Sequence, residues 1–94
     1  MNEPVTTHEA GVALVRESIE RIAPDIDADS IPTDTDMRIE AELDSIDFIA
    51  VLSSIKERTG VDVPDSDMTR VSTIAGCADY LVDHAISPRS EPIT

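Results

Sequence analysis

Apolar residues recur at intervals of three or four positions in three segments of the chain, which is the spacing of one face of an α-helix. In the first segment this set is Val12, Val15, Ile19 and Ile22. Thr6 and Glu9 have the spacing of a capping box, in which each side chain bonds the backbone N–H of the other, so Thr6 is the predicted N-cap. Pro24 disfavours a helical conformation in the residue before it, so the helix should end near Ala23.

The second segment has the clearest helical pattern. Its core-facing set is Phe48, Val51, Leu52 and Ile55. Asp44 is the predicted N-cap and Ser45 the first helical residue, because aspartate and serine oxygens accept the free N–H groups of a first turn. Gly60 is the predicted stop, since glycine tolerates the left-handed conformation that follows a helix. Ile46 and Ile49 fall beside the apolar stripe, so we expect both to be exposed.

A short helical turn and a last helix complete the pattern. The turn should start at Pro64 and carry Met68, and the last helix should open near Ser72 or Thr73. The inner face of that helix is Val71, Ile74, Ala78, Leu81 and Val82. Residues 24–43 form a long acidic connection, whose apolar residues should pack onto the helices: Ile26, Ile31, Met37 and Ile39. The sequence predicts an all-α fold with three longer helices, one short helix and a long loop between the first two.

Length and charge narrow the class of protein. Ninety-four residues make one domain, which we place at residues 6–86 with flexible tails at 1–5 and 87–94. A formal net charge of −13 repels nucleic acid and anionic lipid, and it attracts basic protein surfaces or divalent cations. The lone Cys77 excludes an internal disulfide and suits a reducing compartment, and no run of about 18 apolar residues indicates a membrane span. We expect a cytoplasmic monomer that binds no nucleic acid and does not insert into membranes.

Ser45 is the main candidate for chemistry. Asp44 and Ser45 are ordinary residues at a helix start, so the pair alone favours a purely structural role. The first turn of a helix also favours an attached phosphate, because its free N–H groups and its dipole attract negative charge. Ile46 and Ile49 place apolar surface beside the hydroxyl, as a partner or an apolar cargo requires.

Residues 44–47 read DSID, and they are followed by the stretches ERTGVDVPDSD and VSTIAGCADYL. In this order and spacing the three stretches resemble the acyl carrier protein family, in which the serine of a D-S-L-[DE] motif receives phosphopantetheine. The resemblance covers roughly residues 8–85 and is strongest over residues 43–81. It implies an acyl-carrier-type four-helix bundle.

The resemblance also implies a carrier rather than an enzyme, with no catalytic residues of its own. A phosphopantetheinyl transferase would use coenzyme A and Mg²⁺ to attach 4′-phosphopantetheine covalently to Ser45. The thiol of this arm would hold acyl groups as thioesters for acyl-loading and acyl-processing enzymes of a lipid, fatty acid or polyketide pathway. Asp44 and Asp47 would be recognition charges for the basic docking surfaces of these enzymes, and Ile46 and Ile49 would be apolar contacts.

The sequence departs from the family pattern in two places. The family has a Leu-Gly pair four and three residues before the serine, where this chain has Ala41 and Glu42. One more helical turn through RIEAEL, residues 38–43, is a consistent interpretation. The outer face of the second helix carries Lys56 and Arg58 among its acids, so steering charge lies in the preceding connection. We infer a specialised carrier that serves its own pathway.

Other functions are compatible with the residues. Asp25, Asp27, Asp29 and Asp36 have spacing similar to the ligands of a calcium-binding EF-hand loop. The fit fails where Ser30 replaces the glycine of the sharp turn and where aspartate stands at the twelfth position, so no specific metal site is predicted. An aminoacyl or peptidyl carrier, and an acidic adaptor without a prosthetic group, are the remaining alternatives.

Overall fold

The structure, a computed structural model, describes residues 5–84, and the regular elements of this part of the chain are all helices. Four α-helices occur, namely α1 (His8–Ile22), α2 (Met37–Glu40), α3 (Ser45–Thr59) and α4 (Ile74–Asp83). Two 3₁₀ segments lie between them, Ala28–Ser30 and Asp65–Val71. The predicted all-α fold is confirmed. The short helix predicted after Pro64 is the second 3₁₀ segment, and α2 is an additional short helix inside the long connection.

The start of α1 differs from the prediction by one residue. Thr7, not Thr6, is the N-cap, and its hydroxyl accepts a hydrogen bond from the N–H of Ala10 at 3.1 Å. Either threonine has the chemistry of a cap, and the sequence pattern favoured Thr6 because Glu9 follows it by three positions. In the structure Val5 is buried in the core two residues before the cap, and the helix begins one residue later than the box requires. The predicted end near Ala23 is confirmed.

Helices α1, α3 and α4 enclose an aliphatic core. Its members from these helices include Leu14, Val15, Ile19, Phe48, Val51, Ile55, Ile74, Tyr80 and Leu81. Leu52, predicted to face the core, is only partly buried against it. The helices α1 and α4 approach most closely at Gly11, where an added Cβ would lie 2.9 Å from the Cβ of Ala78. Glycine at this position allows close packing of the two backbones.

Hydrogen bonds hold the connection between α1 and α3 against the helices. The guanidinium of Arg16 donates to two carbonyl groups of the connection, and two backbone bonds join the connection to the start of α4. These bonds run from Arg16 to Ala28 O and Ile31 O, from Ala75 N to Thr33 O at 2.8 Å, and from Met37 N to Ser72 O at 2.8 Å. An isolated bridge pairs Asp36 with Thr73. The segment before α2 is therefore fixed to α1 and α4.

The apolar residues of this connection follow the prediction with one exception. Ile31 and Met37 are buried and Ile26 is partly buried, as predicted. Ile39 is 73% exposed, so its predicted packing role is wrong. In the single turn of α2, Met37 and the buried Ala41 are four residues apart and share the inner face, which places Ile39 on the outer side.

Candidate functional site

Ser45 is the first residue of the 15-residue helix α3, and it is exposed. Asp44 caps the helix as predicted, because its carboxylate accepts a hydrogen bond from the N–H of Asp47 at 2.8 Å. The helix ends at Gly60, whose φ of 79° is the left-handed conformation predicted there. The hydroxyl therefore projects from the end of a long helix where free N–H groups and the helix dipole favour a phosphate.

The chain reaches α3 through a Schellman turn at the end of α2. The N–H of Leu43 donates to the carbonyl of Arg38 at 2.9 Å, and the N–H of Glu42 donates to the carbonyl of Ile39 at 3.2 Å. These are the six-to-one and five-to-two bonds of the motif, and buried Leu43 and Met37 provide its apolar pair. Glu42 occupies the position that is usually glycine, and its φ is 54°. The additional helical turn suggested by RIEAEL is therefore present as α2.

Three exposed isoleucines lie close to this turn along the chain. Within residues 5–84 the large apolar side chains that are exposed are Ile39 at 73%, Ile46 at 77% and Ile49 at 54%. We call these three residues the isoleucine patch. The exposure of Ile46 and Ile49 was predicted from the helical pattern and is confirmed. Ile39 was missed, and the signal that identifies it is the four-residue spacing of Met37 and Ala41 on the opposite side of α2.

The surface around the isoleucine patch is acidic. The carboxylates near Ser45 belong to Glu40, Glu42, Asp44 and Asp47. The cation among them, Arg38, forms a two-pronged ion pair with Asp36, with distances of 2.7 and 3.0 Å, and its guanidinium lies 5.4 Å from the ring centroid of Phe48. The hydrogen bond from Arg38 lowers the pKa of the Asp36 carboxyl. Arg38 is thus paired with Asp36 and not with the acids that flank Ser45.

The histidines and the cysteine of residues 5–84 have contacts that do not involve Ser45. His8 contacts Asp79 at 2.8 Å, and the ring of His84 stacks on that of Tyr80 with centroids 4.0 Å apart. Cys77 is buried, and burial raises the pKa of its thiol to about 12, so this thiol is a packed side chain and not a nucleophile.

The aspartates with EF-hand-like spacing do not form a ligand cluster. Asp27 caps the first 3₁₀ segment by accepting from the N–H of Asp29 at 3.2 Å, and Asp36 is engaged by Arg38. Over residues 5–84 no three His, Cys, Asp or Glu side chains are placed together in a way that could hold a metal ion. The calcium alternative therefore has no geometric support.

The profile of the family described as "Phosphopantetheine attachment site" matches residues 13–81, which is most of the chain and includes Ser45. The chain is also similar to the "Acyl carrier protein" of Rubrobacter xylanophilus, with 25% identity over 73 residues, which cover 74% of this chain and 90% of the relative. This chain belongs to the acyl carrier protein family. The "Acyl carrier protein" of Lactobacillus johnsonii is 29% identical over 63% of this chain and 74% of the relative, and that of Rickettsia prowazekii is 29% identical over 72% and 81%. No solved structure matched the chain.

Membership of the acyl carrier protein family makes the chain a carrier and not an enzyme, with a covalently bound 4′-phosphopantetheine. The residues fit this group, because a carrier has to present a hydroxyl at the surface, and Ser45 presents one at a helix start that favours phosphate. Acyl carrier proteins work with phosphopantetheinyl transferases and acyl-processing enzymes. In the described part of the chain, no helix is long and apolar enough to cross a membrane.

Proposed function

We propose that Ser45 is the residue that carries the arm, and that the chain delivers thioester-bound acyl groups to enzymes of a lipid, fatty acid or polyketide pathway. The observation that carries this proposal is the exposed Ser45 hydroxyl at the first position of α3, directly after the Asp44 cap and within the DSID motif. The family match supports the attachment of phosphopantetheine but not the choice of residue, which rests on this geometry.

Attachment is a phosphoryl transfer from coenzyme A. The Ser45 oxygen forms a bond to the phosphorus nearest the pantetheine and loses its proton to a base of the transferase. The bond from this phosphorus to the bridging oxygen breaks, and the adenosine bisphosphate half leaves with the electron pair. The product is a phosphodiester, and its negative charge lies at the positive end of the α3 dipole. The thiol of the attached group then supplies the thioester linkage to the cargo.

The surroundings of Ser45 suit docking to a basic partner. Asp44 and Asp47 provide negative charge on either side of the hydroxyl, and Ile46 and Ile49 provide exposed apolar surface. The cations farther along α3 face acids of the same chain, with Arg58 at 2.9 Å from Glu17 and Lys56 at 3.7 Å from Asp62. We therefore assign the recognition surface for partners to the start of α3 and the connection before it. A dedicated set of partner enzymes would recognise this surface.

The test is intact-protein mass after incubation with coenzyme A, Mg²⁺ and a broad-specificity phosphopantetheinyl transferase. Wild-type protein should gain the mass of one phosphopantetheine, and Ser45→Ala should gain nothing. Ser53→Ala is the matched control, because Ser53 is an exposed serine on the same helix, and this variant should gain the same mass as wild type. An unchanged mass of wild type, or an equal gain on Ser45→Ala, would refute the assignment.

A further inference from the structure

We propose that α2 is a second docking element of the carrier, and that Ile39 and Glu40 bind the phosphopantetheinyl transferase together with the start of α3. The face of the transferase that meets α2 has an apolar depression bordered by Lys or Arg side chains. This inference rests on the proposed function, because it assumes that the transferase must reach Ser45. The proposed function already includes a docking surface formed by Asp44, Ile46, Asp47 and Ile49. The inference extends this surface to α2, a separate helix on the other side of the Schellman turn.

Ile39 has no role in packing. It is 73% exposed, whereas Met37 and Ala41 on the same turn are fully or almost fully buried and hold α2 to the core. Single exposed apolar side chains are common, but a cluster of them indicates a contact surface. All members of the isoleucine patch lie within six residues of Ser45, and the described residues hold no other exposed large apolar side chain. This concentration along the chain is the first reason to group Ile39 with the surface around Ser45.

The distance from α2 to Ser45 is short enough for one interface. A typical protein interface buries about 800 Å² on each partner, which corresponds to a disc of about 16 Å radius. The hydrogen bond from Leu43 N to Arg38 O, at 2.9 Å, holds the Cα atoms of Ile39 and Leu43 within about 8 Å of each other. The two residues from Leu43 to Ser45 add at most about 7 Å, so Ile39 lies inside this radius. The Arg38 guanidinium also lies 5.4 Å from the ring centroid of Phe48, which packs α2 against the first turn of α3. A partner centred on Ser45 therefore reaches α2.

The turn is ordered before any partner binds. The N–H of Met37 donates to the carbonyl of Ser72, and Asp36 forms a bridge with Thr73, so the start of α2 is tied to the start of α4. The Schellman bonds fix the other end of α2. A preorganised element loses little conformational entropy on docking, so contacts made by Ile39 contribute efficiently to affinity.

Charge identifies the chemistry of the partner. Glu40 and Glu42 are exposed next to Ile39, and the neighbouring Arg38 is engaged by Asp36. An apolar side chain bordered by uncompensated carboxylates is complementary to an apolar depression bordered by cations. The transferase is the partner that fits best, because it has to bring the anionic coenzyme A to Ser45 and therefore presents basic residues there.

The test measures the kinetics of phosphopantetheine transfer by a broad-specificity transferase with coenzyme A and Mg²⁺. Ile39→Ala should raise the KM for the carrier roughly five-fold with a change in kcat below about two-fold, because it removes a docking contact and leaves the reacting atoms unchanged. Ile39→Leu keeps the apolar volume and should be close to wild type. Glu40→Lys should raise KM more than Glu20→Lys, which makes the same charge change on the exposed side of α1.

The outcomes separate this inference from the proposed function. If wild type is not modified, the proposed function fails. If wild type is modified and Ile39→Ala has the wild-type KM, docking through α2 is refuted. A second experiment leaves Ile39 unchanged and uses the Ser45→Ala variant, which can bind the transferase but cannot react. On addition of the transferase, the methyl NMR signals of Ile39 and Ile46 should broaden, and those of buried Ile55 should not. A response of Ile46 alone would restrict docking to α3 and overturn the inference.

Discussion

Replacement of Glu42 by glycine should stabilise the protein. Glu42 has a φ of 54°, and its position in the Schellman turn requires this left-handed conformation, because its own N–H and that of Leu43 bond back to carbonyls of α2. A side chain with a Cβ is strained in this conformation, whereas glycine adopts it readily. The acidic side chain is exposed, so its removal leaves the buried contacts of the turn intact.

The magnitude follows from two opposing effects on the free energy of unfolding. Relief of the left-handed strain should add about 1–2 kcal/mol. The greater freedom of glycine in the unfolded chain should remove about 0.4–1 kcal/mol. The net gain for Glu42→Gly therefore lies between about 0 and 1.6 kcal/mol, and the midpoints of the two ranges give about 0.8 kcal/mol. For a domain of this size, a gain of about 0.8 kcal/mol raises the melting temperature by roughly 4 °C.

Urea denaturation followed by circular dichroism measures this difference, with Glu40→Gly as the matched control. Both variants remove one carboxylate and add one glycine, but Glu40 lies within α2, where glycine should lower the free energy of unfolding by about 0.5–1 kcal/mol. Opposite signs for the two variants are the expected result. If Glu42→Gly is no more stable than wild type, or if both variants shift in the same direction, the assignment of strain to Glu42 is wrong.

Three further predictions concern the core, the cysteine and the ion pair at α2. Gly11→Ala should lower the free energy of unfolding by about 1–2 kcal/mol, because the new methyl group would lie 2.9 Å from the Cβ of Ala78. In a double-mutant cycle, Ala78→Gly should relieve part of this loss. If the effects of the two substitutions simply add, the close contact is contradicted. Cys77 should resist alkylation in the folded protein and react after unfolding, as followed by mass, because burial raises its pKa to about 12; rapid labelling of the folded protein would contradict this. The hydrogen bond from Arg38 lowers the pKa of the Asp36 carboxyl below 3.8, so the ionised carboxylate stabilises the fold above pH 3.8, and this stabilisation is lost as the pH falls through the folded-state pKa. Asp36→Asn should therefore be less stable than wild type at neutral pH and less sensitive to acid. Parallel acid-unfolding curves for the two proteins would refute this prediction.

The sequence predicted the functional helix well because its signals are local. Asp44, Ser45 and Gly60 are a cap, a first residue and a stop whose chemistry acts on the nearest backbone groups, and all three are where they were predicted. The exposure of Ile46 and Ile49 followed from the same helical period. The order and spacing of the short motifs around this helix also indicate the family, because the motifs lie close together along the chain.

Features that depend on tertiary contacts were not predictable in the same way. Glu42 stands where the family has glycine, and a glutamate in a sequence does not indicate a left-handed backbone conformation. The conformation of Glu42 is therefore evident only from its φ and from the hydrogen bonds of the turn. The exposure of Ile39 depends on which side of one helical turn faces the core. Tyr80 is buried, and its hydroxyl donates to Asp67 at 2.7 Å across a separation of 13 residues, which no sequence period indicates.

The most direct test of the central claim is to locate the arm on protein isolated from its native cell. Cleavage after Arg38 and Lys56 yields a peptide of residues 39–56 that contains Ser45, Ser53 and Ser54, so fragmentation of this peptide distinguishes the three hydroxyls. We expect the mass of phosphopantetheine, with or without a thioester-bound acyl group, on Ser45. Phosphopantetheine on any other residue, or a peptide that is unmodified at Ser45 throughout the isolated protein, would contradict the account.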